Sequence, residues 1–153
     1  MKKRCGESGF TLIEIVCVLA IIALLAAISL PAFPRGTSRS RLEALAVATA
    51  SLLQSDRNAA MRRGVVVSTE VNALARTIQS GASAGRVQVP SDVAFSAFLP
   101  DSCNRRPAGS TISFFASGLS CGGAVSLSRL GATFEVRVAW LTGGVEIVPK
   151  KTF

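Results

Sequence analysis

Glu14 is the residue most at odds with its surroundings. It lies near the start of "FTLIEIVCVLAIIALLAAISL", residues 10–30, where Thr11, Glu14 and Ser29 are the clearly polar positions. A lone carboxylate is costly in such a setting and is usually paired or functional. Just upstream, Gly9 and Phe10 join the run to a short leader carrying Lys2, Lys3 and Arg4. Other reactive side chains are few. Histidine and tyrosine are absent, which removes the commonest general base and the commonest metal ligand. The four cysteines, Cys5, Cys17, Cys103 and Cys121, form no CxxC pair, so a zinc or thioredoxin-type site has little support. No catalytic constellation, metal set or cofactor motif stands out. The chain reads as one that binds or builds rather than catalyses.

The elements that must position Glu14 follow from length and pattern. With 153 residues there is room for one membrane segment and one small globular domain. As a helix, residues 10–30 would be about 30 Å long, the thickness of a hydrocarbon core. A cleaved secretory signal fits poorly, because the run exceeds the usual apolar region of about 7–15 residues and contains a charge. A plain signal anchor explains the length but not Glu14. Lys2, Lys3 and Arg4 on one flank face Arg35, Arg39 and Arg41 on the other, so the basic residues leave orientation open.

Pro31 lacks the backbone donor of a helix interior, so a kink is expected there, with Pro34 and Gly36 close behind. Residues 31–63 otherwise read as an amphipathic continuation of the helix. Leu42, Leu45, Ala46, Thr49, Leu52, Leu53 and Ala60 keep helical spacing, and Gly64 provides a stop. Residues 64–153 are β-rich. "VVVSTEV", "TISFFAS", "AVSLSRL", "ATFEVRVAW" and "GVEIVP" read as strands, and "LTGGVEI" as a hairpin turn. Phe134, Val136, Val138 and Trp140 alternate with polar residues, which assigns Trp140 to the core. Residues 78–94, polar and Gly/Ser-rich, read as mobile loops. The expected fold class is α+β, one long N-terminal helix carrying a mostly antiparallel sheet. The net charge of +8 suits anionic lipid, acidic proteins or nucleic acid without choosing among them. Cys103 and Cys121 can pair in an oxidising compartment or remain two free thiols.

"ESGFTLIEIVCVLAIIALLAAISLPAF" resembles the class III signal and N-terminal helix of type IV pilins and type II secretion pseudopilins. The shared features are the basic leader, Gly9 before Phe10, Thr11-Leu12, Glu14, the apolar helix and Pro31. That resemblance implies removal of leader 1–9 by a prepilin peptidase cutting between Gly9 and Phe10, and N-methylation of Phe10. It also gives Glu14 a partner, the new amino terminus of a neighbouring subunit. Residues 10–30 would then cross the bacterial inner membrane once and later enter a filament core, with residues 64–153 in the periplasm. "SDRNAAMRRGVVVSTEV" and "ISFFASGLSCGGAVSLSRLGATFEVRVAWLTGGVEI" further resemble the GspH/FimT group, which includes the H-type minor pseudopilins. The implied partners are the peptidase, major and minor pseudopilins, inner-membrane lipid and secreted exoproteins. The alternative is a FimT-like minor pilin that binds DNA during uptake.

Overall fold

The structure is a computed structural model that describes residues 9–29 and 36–151. The chain divides into two compact units, one ending at Arg35 and one beginning at Gly36.

In the first unit, helix α1 spans Leu12–Ser29 and carries Glu14 in its first turn. Its described side chains are exposed on every side, including Leu12, Leu19 and Leu24. An all-round apolar helix has no polar face to turn towards water and needs an apolar environment from outside. Among the described residues no helix is long and apolar enough to cross a membrane. Leu30 and the kink expected at Pro31 lie outside the described residues, as does the leader up to Ser8.

The second unit begins with an irregular stretch, not the helix expected across residues 31–63. Ser38 is extended, and its hydroxyl accepts from the Arg41 N–H, capping helix α2, Arg39–Arg63. Thr37 is drawn onto Asp92, donating from its N–H at 2.7 Å and its hydroxyl at 3.0 Å. Those bonds replace the helical ones, so residues 36–38 stay outside the helix. At the other end Gly64 takes the left-handed conformation (φ 66°), and its N–H returns to the Ala60 carbonyl.

α2 buries Leu42, Ala46, Thr49, Leu53, Asp56, Ala59 and Ala60, a stripe at three- and four-residue spacing. The expected single sheet is divided in two. One sheet has the order β3-β2-β1-β7, from β1 (Val67–Asn72), β2 (Thr77–Gln79), β3 (Arg86–Gln88) and β7 (Thr111–Phe114). The other has the order β10-β9-β8-β4, from β4 (Ala94–Phe98), β8 (Gly123–Arg129), β9 (Ala132–Val138) and β10 (Val145–Lys151). All their pairings are antiparallel. A small hairpin of β5 (Ser102–Cys103) and β6 (Arg106–Pro107) stands apart.

Both sheets pack on α2. Alternation sorts their faces: Val67, Thr69 and Val71 point inward on β1, and Phe134, Val136 and Val138 on β9. Trp140 departs from this pattern and is 68% exposed. The β9–β10 pairing starts at Val138 and Val145, so Trp140 lies in the turn, closed by Ala139 N–H to Gly144 O at 2.9 Å. The stretch expected to be loose is also built. It supplies β2 and β3, and its Val89 and Val93 are buried. Arg76 donates to the carbonyls of Val89, Pro90 and Val93, tying that segment down.

Candidate processing and assembly site

Gly9, Phe10 and Glu14 lie together at the start of α1. Phe10 is 80% exposed, and a Cβ added at Gly9 would meet nothing within 4 Å. The Thr11 carbonyl accepts from the N–H groups of Glu14 and Ile15, at 3.1 and 3.4 Å, and opens the helix. Glu14 therefore sits about one turn from the peptide bond between Gly9 and Phe10. An acidic group is favoured at that end by the helix dipole. Its carboxylate has no partner among the described residues. Chemically this is an accessible Gly-Phe bond beside an uncompensated carboxylate in apolar surroundings.

Another carboxylate on a helix has the opposite environment. Asp56 is fully buried in α2 and accepts from four donors. They are the Thr69 hydroxyl at 2.6 Å, the Ser80 hydroxyl at 2.5 Å, and the N–H groups of Gly81 and Ala82 at 3.0 and 3.4 Å. Sequence reading missed Asp56 because it stands among other polar residues. The spacing Leu53, Asp56, Ala60 on the buried stripe was the available signal.

Next to it, Arg57 ties two turns to the helix. Its guanidinium donates to the carbonyls of Gly118 and Thr142, at 3.1 and 3.0 Å. The F-x-x-G turn from Phe115 and the T-G turn at Thr142 are thus fastened to one helix residue. Gly143 has φ 60°, and a Cβ there would fall 2.1 Å from the Gly118 carbonyl oxygen. Only glycine fits that approach.

Cys103 and Cys121 form a disulfide, with Cα atoms 5.6 Å apart. It joins the β5–β6 hairpin to the segment entering β8. Asn104 and Arg105, at the hairpin tip, both have positive φ, and Arg105 and Arg106 are exposed. Near the start of α2, Arg129 bridges Asp92 at 3.1 Å and donates to the Thr37 carbonyl. The Thr37 backbone N–H holds the Asp92 carboxyl below the usual range; the Thr37 hydroxyl and Arg129 act in the same direction. Hydrogen bonds from Lys150 and then Arg137 likewise hold the Glu135 carboxyl low. No group of His, Cys, Asp or Glu that could hold a metal occurs among the described residues.

Residues 4–30 match the model of the prokaryotic N-terminal methylation motif. The fold is shared with solved minor pilins and pseudopilins. The minor pseudopilin EpsH from the type 2 secretion system of Vibrio cholerae superposes with a TM-score of 0.53 at 10% identity. That match covers 67% of this chain and 92% of EpsH. The type IV minor pilin FimU of Pseudomonas aeruginosa gives 0.53 at 15% identity, covering 76% and 96%. The fold is type IV pilin-like. A curated relative, type II secretion system protein H of Xanthomonas campestris pv. campestris, is 29% identical over 145 residues. That alignment spans 94% of this chain and 85% of the relative. The methylation motif covers Gly9, Phe10 and Glu14, so the resemblance seen in the sequence and the matched model rest on the same residues.

Proposed function

We propose that this pilin-like chain is an H-type minor pseudopilin, a structural subunit of the periplasmic pseudopilus of a type II secretion system. The observation that carries the reading is the likeness to type II secretion system protein H, which runs through nearly the whole chain. The methylation motif supports the rest of the pathway. A prepilin peptidase cuts between Gly9 and Phe10 and methylates Phe10. Until assembly, α1 and the residues after it anchor the chain in the inner membrane, with the second unit in the periplasm. The disulfide suits that oxidising compartment. In the filament Glu14 meets the amino terminus of a neighbouring subunit. At about 4 Å and an effective dielectric of about 20 the pair attracts by roughly 4 kcal/mol before desolvation. Register along the fibre is its main consequence. The chain's own part is non-catalytic: it is cut, methylated, packed and moved, alongside other pseudopilins and the exoproteins they help export.

A FimT-like minor pilin that binds DNA is the second reading. FimU matches the fold as well as EpsH does, and Arg105 and Arg106 stand exposed on a stapled turn. Deleting the gene in its host separates the two. Loss of exoprotein from the medium with DNA uptake intact is expected; intact secretion with lost uptake would reverse the order. Titration with duplex DNA at two salt concentrations adds a direct check, since phosphate contacts make binding steeply salt-dependent.

A further inference from the structure

The β8–β9 turn is built against both backbone and solvent preference. Arg129 faces Ala132 across the hairpin, so Leu130 and Gly131 form a two-residue turn, with φ 49° and 74°. Such turns favour Asn-Gly, and a leucine with positive φ is uncommon. Leu130 is also 88% exposed, so burial does not explain it either. It stands over a groove of about 580 Å³ lined in part by Arg39, Leu42, Phe134, Pro149 and Lys150. Arg39 and Lys150 share the groove with this apolar tip. Arg39 and Arg41 are exposed in the first turn of α2 and have no ion-pair partner among the described residues, with Glu43 offsetting one of them. Lys150 lines the groove, and Lys151 pairs in register with Ala132, next to the turn. The nearby carboxylates Asp92 and Glu135 are already engaged, by Arg129 and by Lys150 with Arg137.

Connectivity limits where this end of the second unit can go. Residues 30–38 are all that separates α1 from α2, and fully extended they reach no more than about 32 Å. We propose that the Leu130 tip, with Arg39 and Lys150 lining the groove beside it and Arg41 in the same turn of α2 as Arg39, rests on an anionic lipid surface before the subunit joins a filament. The proposal rests on the membrane-anchor reading above. One leucine and a few cations would hold a free protein weakly, but a short tether raises the effective concentration of that surface. The contact would keep the second unit from tumbling freely on its anchor and present it in one orientation for assembly.

The chain contains a single tryptophan, Trp140, beyond the opposite end of β9, which supplies an internal control. The full chain is placed in nanodiscs containing brominated phosphatidylglycerol, as wild type and as Leu130→Trp with Trp140→Phe. Insertion to the depth of an interfacial contact should quench the indole introduced at position 130 at least about twofold, while wild-type Trp140 stays bright. Adding Arg39→Glu and Arg41→Glu should bring the introduced indole back towards the brightness of Trp140. An introduced indole as bright as Trp140, in chains that have entered the discs, would overturn the contact alone. Chains that fail to enter would overturn the anchor reading as well. Quenching unchanged by the two Arg→Glu changes would overturn charged lipid as the partner. If the tryptophan variant misfolds, Leu130→Asn serves, because asparagine tolerates the turn. Amide exchange at residues 129–132 should be slowed by anionic discs in the wild type but not in that variant; equal slowing in both would contradict the contact.

Discussion

Glu14 and Asp56 are both carboxylates on helices, and the chain treats them in opposite ways. Asp56 is buried with four donors supplied by its own unit. Glu14 sits on an apolar helix with no partner among the described residues. The first is completed by folding; under the proposed function the second is completed by a neighbouring subunit.

The largest effect is expected at Asp56. Asp56→Ala takes the acceptor from four donors, two of them buried hydroxyls, and should cost on the order of 3–5 kcal/mol, read from denaturant unfolding of residues 36–153. That segment is suitable because its whole buried core comes from its own residues. Glu14→Ala should do the reverse, leaving that stability unchanged while reducing incorporation into filaments at least about tenfold, the loss expected when a charge pair is removed. Equal incorporation of mutant and wild type would remove the contrast between the two residues.

Smaller changes sharpen the same comparison by weakening other ties within the second unit. Cys103→Ser with Cys121→Ser should lose about 3 kcal/mol, the loop-closure value for a bridge of this span. Arg57→Ala releases two carbonyls and should cost about 2–3 kcal/mol. Neither change should alter cleavage at Gly9. The smallest effect is at Asp92. Its carboxyl is held low in the folded state, so the stabilisation is complete above the ordinary aspartate value. It is lost as pH falls through the lowered value. The Thr37 amide resonance should report that midpoint below the normal one, and Asp92→Asn should abolish the step.

How much could be read from the sequence depended on how much of the signal was local. The buried stripe of α2 was legible because helical periodicity is set within a few residues. β9 and the β9–β10 hairpin were legible from alternation and the paired glycines. Trp140 was misassigned because alternation does not reveal where pairing stops. β2, β3 and β4 were missed because they are short, and the ties that hold residues 75–98 come from distant side chains. Arg76 reaches residues 89–93, Asp56 reaches 80–82, and Asp92 reaches Thr37. The methylation motif was the clearest of all, because it is carried by contiguous residues, 4–30.

The most direct test of the account is the intact mass of the protein recovered from its own host. A chain beginning with N-methylated Phe10 is the expected result. A chain retaining Met1, with no cut near Gly9, would contradict it.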